Sequence, residues 1–461
     1  MKNLRVAMSG AFDVENYGDL LFPEIFREAL RLRGLDIELV EFAPTNTKPR
    51  LTPSSRVVHA LATLEEMHRI EPFDAVVIGG GALVHAEVLH QFLGDNAELQ
   101  DYAIAETWIV TSVFCAEYDV PLLWNAPDVP YTFPIEISSI AKGLIEQSKY
   151  ISVRNDTSLK NLGVLGLSSD KITVCPDTAL ALAKYLSITE DNLRTPLPEM
   201  AYFVVHINRF LSKDNIAELA GVLSVYAAEN DLHAILLPLS NAHGDLGALR
   251  TLESQMLSPS SVWISESITE MAAVIRRAEL YVGVSYHGAI TALAHGVRAV
   301  CFNYMNYDKS ADLFRSLDCQ TRYAETIGEL RTVMKSIDQM PLAPSKLATI
   351  IARVETHFDT LAEFIAGSAD VEAPPVKSGV RSAVLANLIL SNFDMSSRLR
   401  SIQIRFDFVS EKLQWLEENA EATALHLRSR MESIEAGAAS SSQHFSAKIE
   451  WLEHELSSRR S

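Results

Sequence analysis

Short apolar runs rich in β-branched residues alternate with helix-length stretches from the N-terminus to about residue 365. Strands separated in this way cannot pair through tight hairpins; each return to the sheet crosses over through a helix, so the strands lie parallel. The first series begins with the run Arg5–Phe12 and a helix through Leu21–Leu30, followed by strands at Ile37–Phe42, Ala75–Ile78, Leu122–Asn125, Tyr150–Val153 and Ile172–Cys175. The segment Thr189–Pro198, which contains Thr195-Pro196-Leu197-Pro198, breaks the pattern and marks a domain boundary. A second series then opens at Ala201–Ile207 and continues at Ala234–Leu239, Val262–Ser265, Leu280–Val284 and Ala299–Phe302. Helical patterns at Ile327–Ile337 and Lys346–Ile365 close the body.

At 461 residues the chain exceeds what one hydrophobic core organises. The expected fold class is α/β, with two Rossmann-like parallel-sheet domains (1–188 and 199–366) facing a cleft into which His287 looks. Residues 367–382, with Pro374 and Pro375, read as a linker to a helical tail at 383–461. Within that tail Lys412-Leu413-Gln414-Trp415-Leu416-Glu417 recurs as Lys448-Ile449-Glu450-Trp451-Leu452-Glu453. We read this extension as an amphipathic coiled coil or helical hairpin in preference to a loosely ordered tail, with Trp415 and Trp451 in its core, and expect a homo-oligomer through residues 383–461.

Hydrophobic residues make up 48% and charged residues 21%, the balance of a globular protein. A formal net charge of −19, with no Lys/Arg cluster, argues against nucleic acid as a partner. Cys115, Cys175, Cys301 and Cys319 are widely spaced, without C-x-x-C or a nearby histidine group, so reduced structural thiols are expected and no metal site is. The apolar stretch at Met1–Gly10 is too short for a signal peptide, and no run approaches the roughly 18 residues of a membrane span. A cytoplasmic location is expected.

Four turns carry chemistry. Asn16-Tyr17-Gly18-Asp19 joins the first strand to a helix, where backbone N–H groups suit a phosphate or carboxylate; equally, Gly18 serves the turn and Asp19 caps the helix. Gly79-Gly80-Gly81 forms a second strand-to-helix turn that a ligand can approach closely, with His85 beyond it as a helix-face residue or a contact. Arg154, in Ser152–Ser158, stands at the C-terminal end of a parallel strand, and its fork matches carboxylate or phosphate oxygens; Asp177 of Pro176-Asp177 orients it or caps a helix. The sharpest signal is Ser285-Tyr286-His287-Gly288, which sets Ser285 and His287 at the mouth of the second sheet, where imidazole moves a proton near neutral pH. Lys309, after the next strand, brings positive charge to the same mouth, and Arg209 follows the strand Tyr202–Ile207.

In order and spacing, Asn16-x-Gly18-Asp19, Gly79-Gly80-Gly81, Ser152-Val153-Arg154 with Ser158, Pro176-Asp177, Ser285-Tyr286-His287-Gly288, and Tyr304 and Tyr307 with Lys309 resemble the polysaccharide pyruvyl transferase family over about residues 10–315. Ser285 stands where many members carry arginine. The resemblance implies a fold like that of the two-domain GT-B glycosyltransferases, phosphoenolpyruvate as donor, the hydroxyl pair of a sugar as acceptor, and no cofactor. On that footing His287 and Arg154 are the catalytic candidates. Asn16, Gly18, Asp19, Gly79, Gly80, Gly81, Ser285, Lys309 and Arg209 bind the donor, while Asp177, Ser158 and Tyr286 support them. Two rivals stay open: a glycosyltransferase using a sugar nucleotide without a metal, since no D-x-D is present, and a non-catalytic scaffold associating through its C-terminal helices.

Overall fold

The computed structural model describes residues 4–51, 56–86, 104–188, 196–197, 199–337, 344–368 and 389. The expected linker beyond Ser368, the tail with Trp415 and Trp451, and all but two residues of Thr189–Pro198 lie outside them.

The first half holds strands β1 (Leu4–Ser9), β2 (Ile37–Ala43), β3 (Val58–Ala60), β4 (Ala75–Ile78) and β5 (Leu122–Trp124) in the order β3-β2-β1-β4-β5. Each described pairing is parallel, in register from Leu4 opposite Ile37 to Ile78 opposite Trp124. Two further parallel strands, β6 (Ile151–Val153) and β7 (Ile172–Val174), continue this half, with Tyr150 bridging to Leu123. The second half holds β8 (Tyr202–His206), β9 (His233–Leu236), β10 (Ser260–Val262), β11 (Leu280–Gly283), β12 (Arg298–Phe302) and β13 (Tyr323–Ala324), ordered β10-β9-β8-β11-β12-β13 and parallel throughout. Both halves therefore reverse strand order beside their first strand, at β1/β4 and at β8/β11. A crevice opens outside the strand ends at such a switch point.

Burial follows the alternation that the sequence shows. β1, β4, β5, β8 and β11 are buried along their whole length, as strands covered by helices on both faces must be. Helix Tyr17–Arg31 buries Leu20, Leu21, Ile25, Phe26, Ala29 and Leu30, and its last turn receives the closing helix Pro344–Ser368. There Arg33 donates to Glu355 and Asp359, and His357 sits between Tyr150 Oη (2.9 Å) and Asn125 Oδ1 (3.1 Å). The closing helix thus returns to pack on the first half, and it runs two residues past the expected linker start.

Three strands differ from expectation. β3 and β13 are too short and too polar in neighbourhood to give a pattern, and β10 ends where Val262–Ser265 was expected to begin. Pairing with β9 begins at Ser260 and reaches Val262 opposite Leu236, so two serines enter the ladder ahead of the apolar run. No described helix is long and apolar enough to cross a membrane.

Candidate active site

A cavity of about 470 Å³ lies where the two crevices meet. Almost all of its wall comes from turns that follow strands: Asn16 and Asp19 after β1, Gly81 after β4, Asp128 after β5, Arg154 after β6, Asn208 after β8, Ser240 after β9, Ser285 to His287 after β11, and Lys309 after β12. The halves are stitched beside it by Tyr17 N–H to the Leu239 carbonyl (2.9 Å) and by Tyr17 Oη with Thr291 Oγ1 (2.8 Å).

The first-half wall is built around a buried cation. Arg154 directly follows β6, and its guanidinium is held by Asp128 through Nη2 and by Asp177 through Nη1 (3.3 Å), all three side chains nearly sealed from solvent. Asp128 is fixed in turn: Ser158 Oγ donates to its Oδ1 (2.7 Å), and its backbone N–H donates to the Gly81 carbonyl (2.7 Å). Ala126, two residues earlier, takes a left-handed φ of 50°, and its N–H donates to Ser152 Oγ (2.9 Å). Burial alone would push both carboxyls up, but Arg154 with Ser158 at Asp128, and His287 with Arg154 at Asp177, outweigh it and hold each below the usual carboxylate range.

Asp19 behaves in the opposite sense. Its burial raises the carboxyl to about 6 against the pull of His287, Lys309 and Arg154. Asn16 Nδ2 donates to its Oδ2 (2.8 Å) while Asn16 Oδ1 caps the helix by accepting from Gly18 N–H (3.3 Å). The cap is therefore Asn16 and not, as the alternative reading of this turn had it, Asp19, which lies inside the helix and is a carboxyl that holds a proton well above the ordinary range.

From the second half, Ser285 caps helix Tyr286–Ala294 by accepting from Gly288 N–H (3.2 Å). His287 Nε2 lies 3.5 Å from Asp177 Oδ2, and the edge of its ring meets Phe22 at 5.4 Å. The Tyr286 ring stands between two cations, 4.9 Å from the Arg154 guanidinium and 5.8 Å from Lys309 Nζ. Lys309 has no ion pair within 4.0 Å among the described residues; burial and Arg154 lower its ammonium below the usual lysine range, although Asp128, Asp19 and Asp177 oppose this.

The structure therefore gathers His287, Arg154, Asp177, Asp19, Asn16, Gly18, Ser285, Tyr286 and Lys309 in and around one cavity, with Ser158 behind it. Three assignments need revision. Gly79 and Gly80 lie behind the wall: a Cβ on Gly79 would meet the Ser9 carbonyl at 2.8 Å, and one on Gly80 the Phe22 ring at 2.2 Å. Their lack of a side chain makes room for packing rather than for a ligand, and only Gly81, at φ 107°, reaches the cavity. Arg209 is exposed, with its guanidinium 4.8 Å over the Phe210 ring, and does not line the wall. Sequence reasoning missed Asp128, hidden after a proline, and also His206, Asn208, Ser240, His243 and Asp245. His206-Ile207-Asn208 at the end of a strand was the available signal for the first two.

Comparison with known proteins fixes fold and family. Two solved structures assigned as UDP-N-acetylglucosamine 2-epimerases superpose on this chain. The one from Listeria monocytogenes has 10% identity, covers 82% of this chain and 100% of its own, and gives a TM-score of 0.52. The one from Rickettsia bellii has 11% identity, covers 80% and 98%, and gives the same TM-score of 0.52. The shared architecture is that of the two-domain GT-B-like enzymes. No curated protein sequence matches significantly. The sequence model of one family, however, aligns with residues 16–307, well over half of the chain and spanning the cavity wall from Asn16 to Tyr307; this chain belongs to the polysaccharide pyruvyl transferase family.

Proposed function

We propose that the chain transfers a pyruvyl group from phosphoenolpyruvate to two hydroxyls of a sugar, forming a cyclic ketal and releasing phosphate. Lys309 carries this reading, as an enclosed ammonium with no carboxylate within 4.0 Å among the described residues, on the cavity wall beside the first residues of helix Tyr286–Ala294. A phosphate set there gains the ammonium and the dipole of helix Tyr286–Ala294. Arg154, whose buried Nε makes no hydrogen bond among the described residues, faces the donor's carboxylate.

The reaction needs a proton delivered to the enol carbon C3, which makes C2 electrophilic. Asp19 suits this better than it suits phosphate binding, because a carboxyl at about 6 is partly protonated near neutral pH and an incoming anion raises it further. His287, steadied by Asp177, is the second proton carrier at the same wall. The family match supports transfer chemistry of this class, and the donor assignment rests on the cavity's charge. A sugar nucleotide is the second reading, favoured by the same helix N-terminus beside two cations. Thermal shift with phosphoenolpyruvate and with UDP-sugars separates them: stabilisation by phosphoenolpyruvate that disappears in K309M supports pyruvyl transfer, and stabilisation by the UDP-sugars alone rejects it.

A further inference from the structure

The part of the cavity wall formed after β8 and β9 differs in kind from the rest. Arg154, Lys309, Asp19 and Asp128 line one part, whereas the part formed after β8 and β9 presents His206, Asn208, Ser240 and His243. His206 ends β8, buried, and its Nε2 lies 2.8 Å from Asp245 Oδ2. That oxygen also accepts from Leu239 N–H (3.0 Å) and Ser240 N–H (2.6 Å). An oxygen that already receives two backbone donors at the first residue of a helix acts as acceptor toward the ring as well, so Nε2 carries the hydrogen and, in the neutral ring, the lone pair stands at Nδ1. This Nδ1 is buried and makes no hydrogen bond among the described residues.

Two neighbours complete the pattern. Ser240 Oγ is buried and makes no hydrogen bond among the described residues. Asn208 uses Oδ1 to accept from Tyr304 Oη (2.9 Å) and Phe210 N–H (3.2 Å), which leaves Nδ2 free to donate. Burial also holds the His243 imidazole down to about 4, with Lys309 and His206 adding to it against Asp245, so this side gains no charge there at neutral pH. A wall with a ring acceptor, a hydroxyl and an amide donor matches sugar hydroxyls better than it matches phosphate.

Resting on the reading of the cavity as a pyruvyl-transfer site, we infer that this wall is the acceptor subsite and that His206, oriented by Asp245, is the general base that activates the attacking hydroxyl. The hydroxyl oxygen bonds to C2 of the donor while its proton passes to His206 Nδ1. The C2–O bond to phosphate then breaks with its electron pair leaving on phosphate, and the second hydroxyl closes the ketal. Two hydroxyl protons are released in all. One replaces the proton that Asp19 gave to C3, and the other returns through His206 to the departing phosphate, so the ketal carboxylate and hydrogen phosphate balance the donor and the diol.

The test uses the full-length chain, phosphoenolpyruvate and a panel of methyl glycosides and nucleotide sugars, with phosphate release and donor affinity measured separately. H206A is expected to lower kcat by about 10²- to 10⁴-fold with donor affinity unchanged, and added imidazole to restore part of the rate. H206Q, which keeps a polar contact to Asp245, is expected to fold as the wild type does and to show the same kcat loss. Undiminished kcat in either variant, or a loss confined to donor affinity, overturns the assignment. A wild-type chain that neither binds phosphoenolpyruvate nor releases phosphate with any acceptor overturns the underlying reading and this inference with it; a wild type that turns over while H206Q matches it rejects the inference alone.

Discussion

Gly18 and His287 lie so close that a Cβ on residue 18 would sit 1.9 Å from His287 Nδ1. The turn that opens the first half's helix is thereby shaped by a histidine from the second half, and the absence of a side chain at residue 18 is what lets the ring enter. G18A cannot be absorbed by a flexible end, because the ring is also backed by Phe22. The expected result is overpacking that costs about 1–3 kcal/mol in denaturant unfolding. Turnover should fall far more than that destabilisation explains, since His287 must move.

Lys309 should dominate affinity for the anionic donor. K309M removes one charge-assisted contact worth about 1.5–3 kcal/mol, or roughly 10- to 150-fold in Kd. Titration calorimetry at two salt concentrations checks this, with the variant showing weaker salt dependence than the wild type.

Asp19 gives a pH signature. Because its folded carboxyl is raised to about 6, the unfolded chain ionises first as pH increases, so this group's contribution to stability is full at pH 4 and is lost as pH rises through 6. D19N should therefore raise stability at pH 7.5, by about 1–2 kcal/mol after allowing for solvent screening, and leave it unchanged at pH 4. The same variant should lose the proton that phosphoenolpyruvate binding takes up near neutral pH, visible as a change in the buffer dependence of the binding enthalpy.

Asp128 and Asp177 carry the opposite sign, since both are held below the usual range; their contribution is present at neutral pH and is lost as the solution is acidified below about 4. D128A leaves Arg154 buried with only Asp177, and a cost of about 3–5 kcal/mol is expected. D128N keeps a hydrogen bond to the guanidinium and should cost less. Urea unfolding of the two variants side by side separates charge from contact.

The fold was legible because parallel strands buried on both faces must be apolar along their length, and runs such as Ala75–Ile78 and Leu280–Gly283 announce this directly. The turns after them were legible as strand-to-helix junctions but not as caps: Ser285 and Asn155, which follow β11 and β6, cap helices in the structure by accepting from Gly288 and Ser158 N–H. Roles were harder to read. Gly80 looked like a site for close ligand approach because glycine reports only that space is needed, while what fills the space, here Phe22, arrives from a distant segment. Asp128 left no local signal, since its importance comes from Arg154 and Ser158, 26 and 30 residues away. His206 was passed over as part of an apolar strand. Only the fold shows that the strand ends at the cavity and that Asp245 waits at Nε2.

Product identity tests the central claim most directly. Full-length protein incubated with phosphoenolpyruvate and the acceptor panel should release phosphate with one class of sugar only, in a one-to-one ratio with a ketal-bearing product detected by mass spectrometry, and H287Q should abolish both. Transfer of a glycosyl group from a nucleotide sugar without phosphoenolpyruvate, or ketal formation undiminished in H287Q, would contradict it.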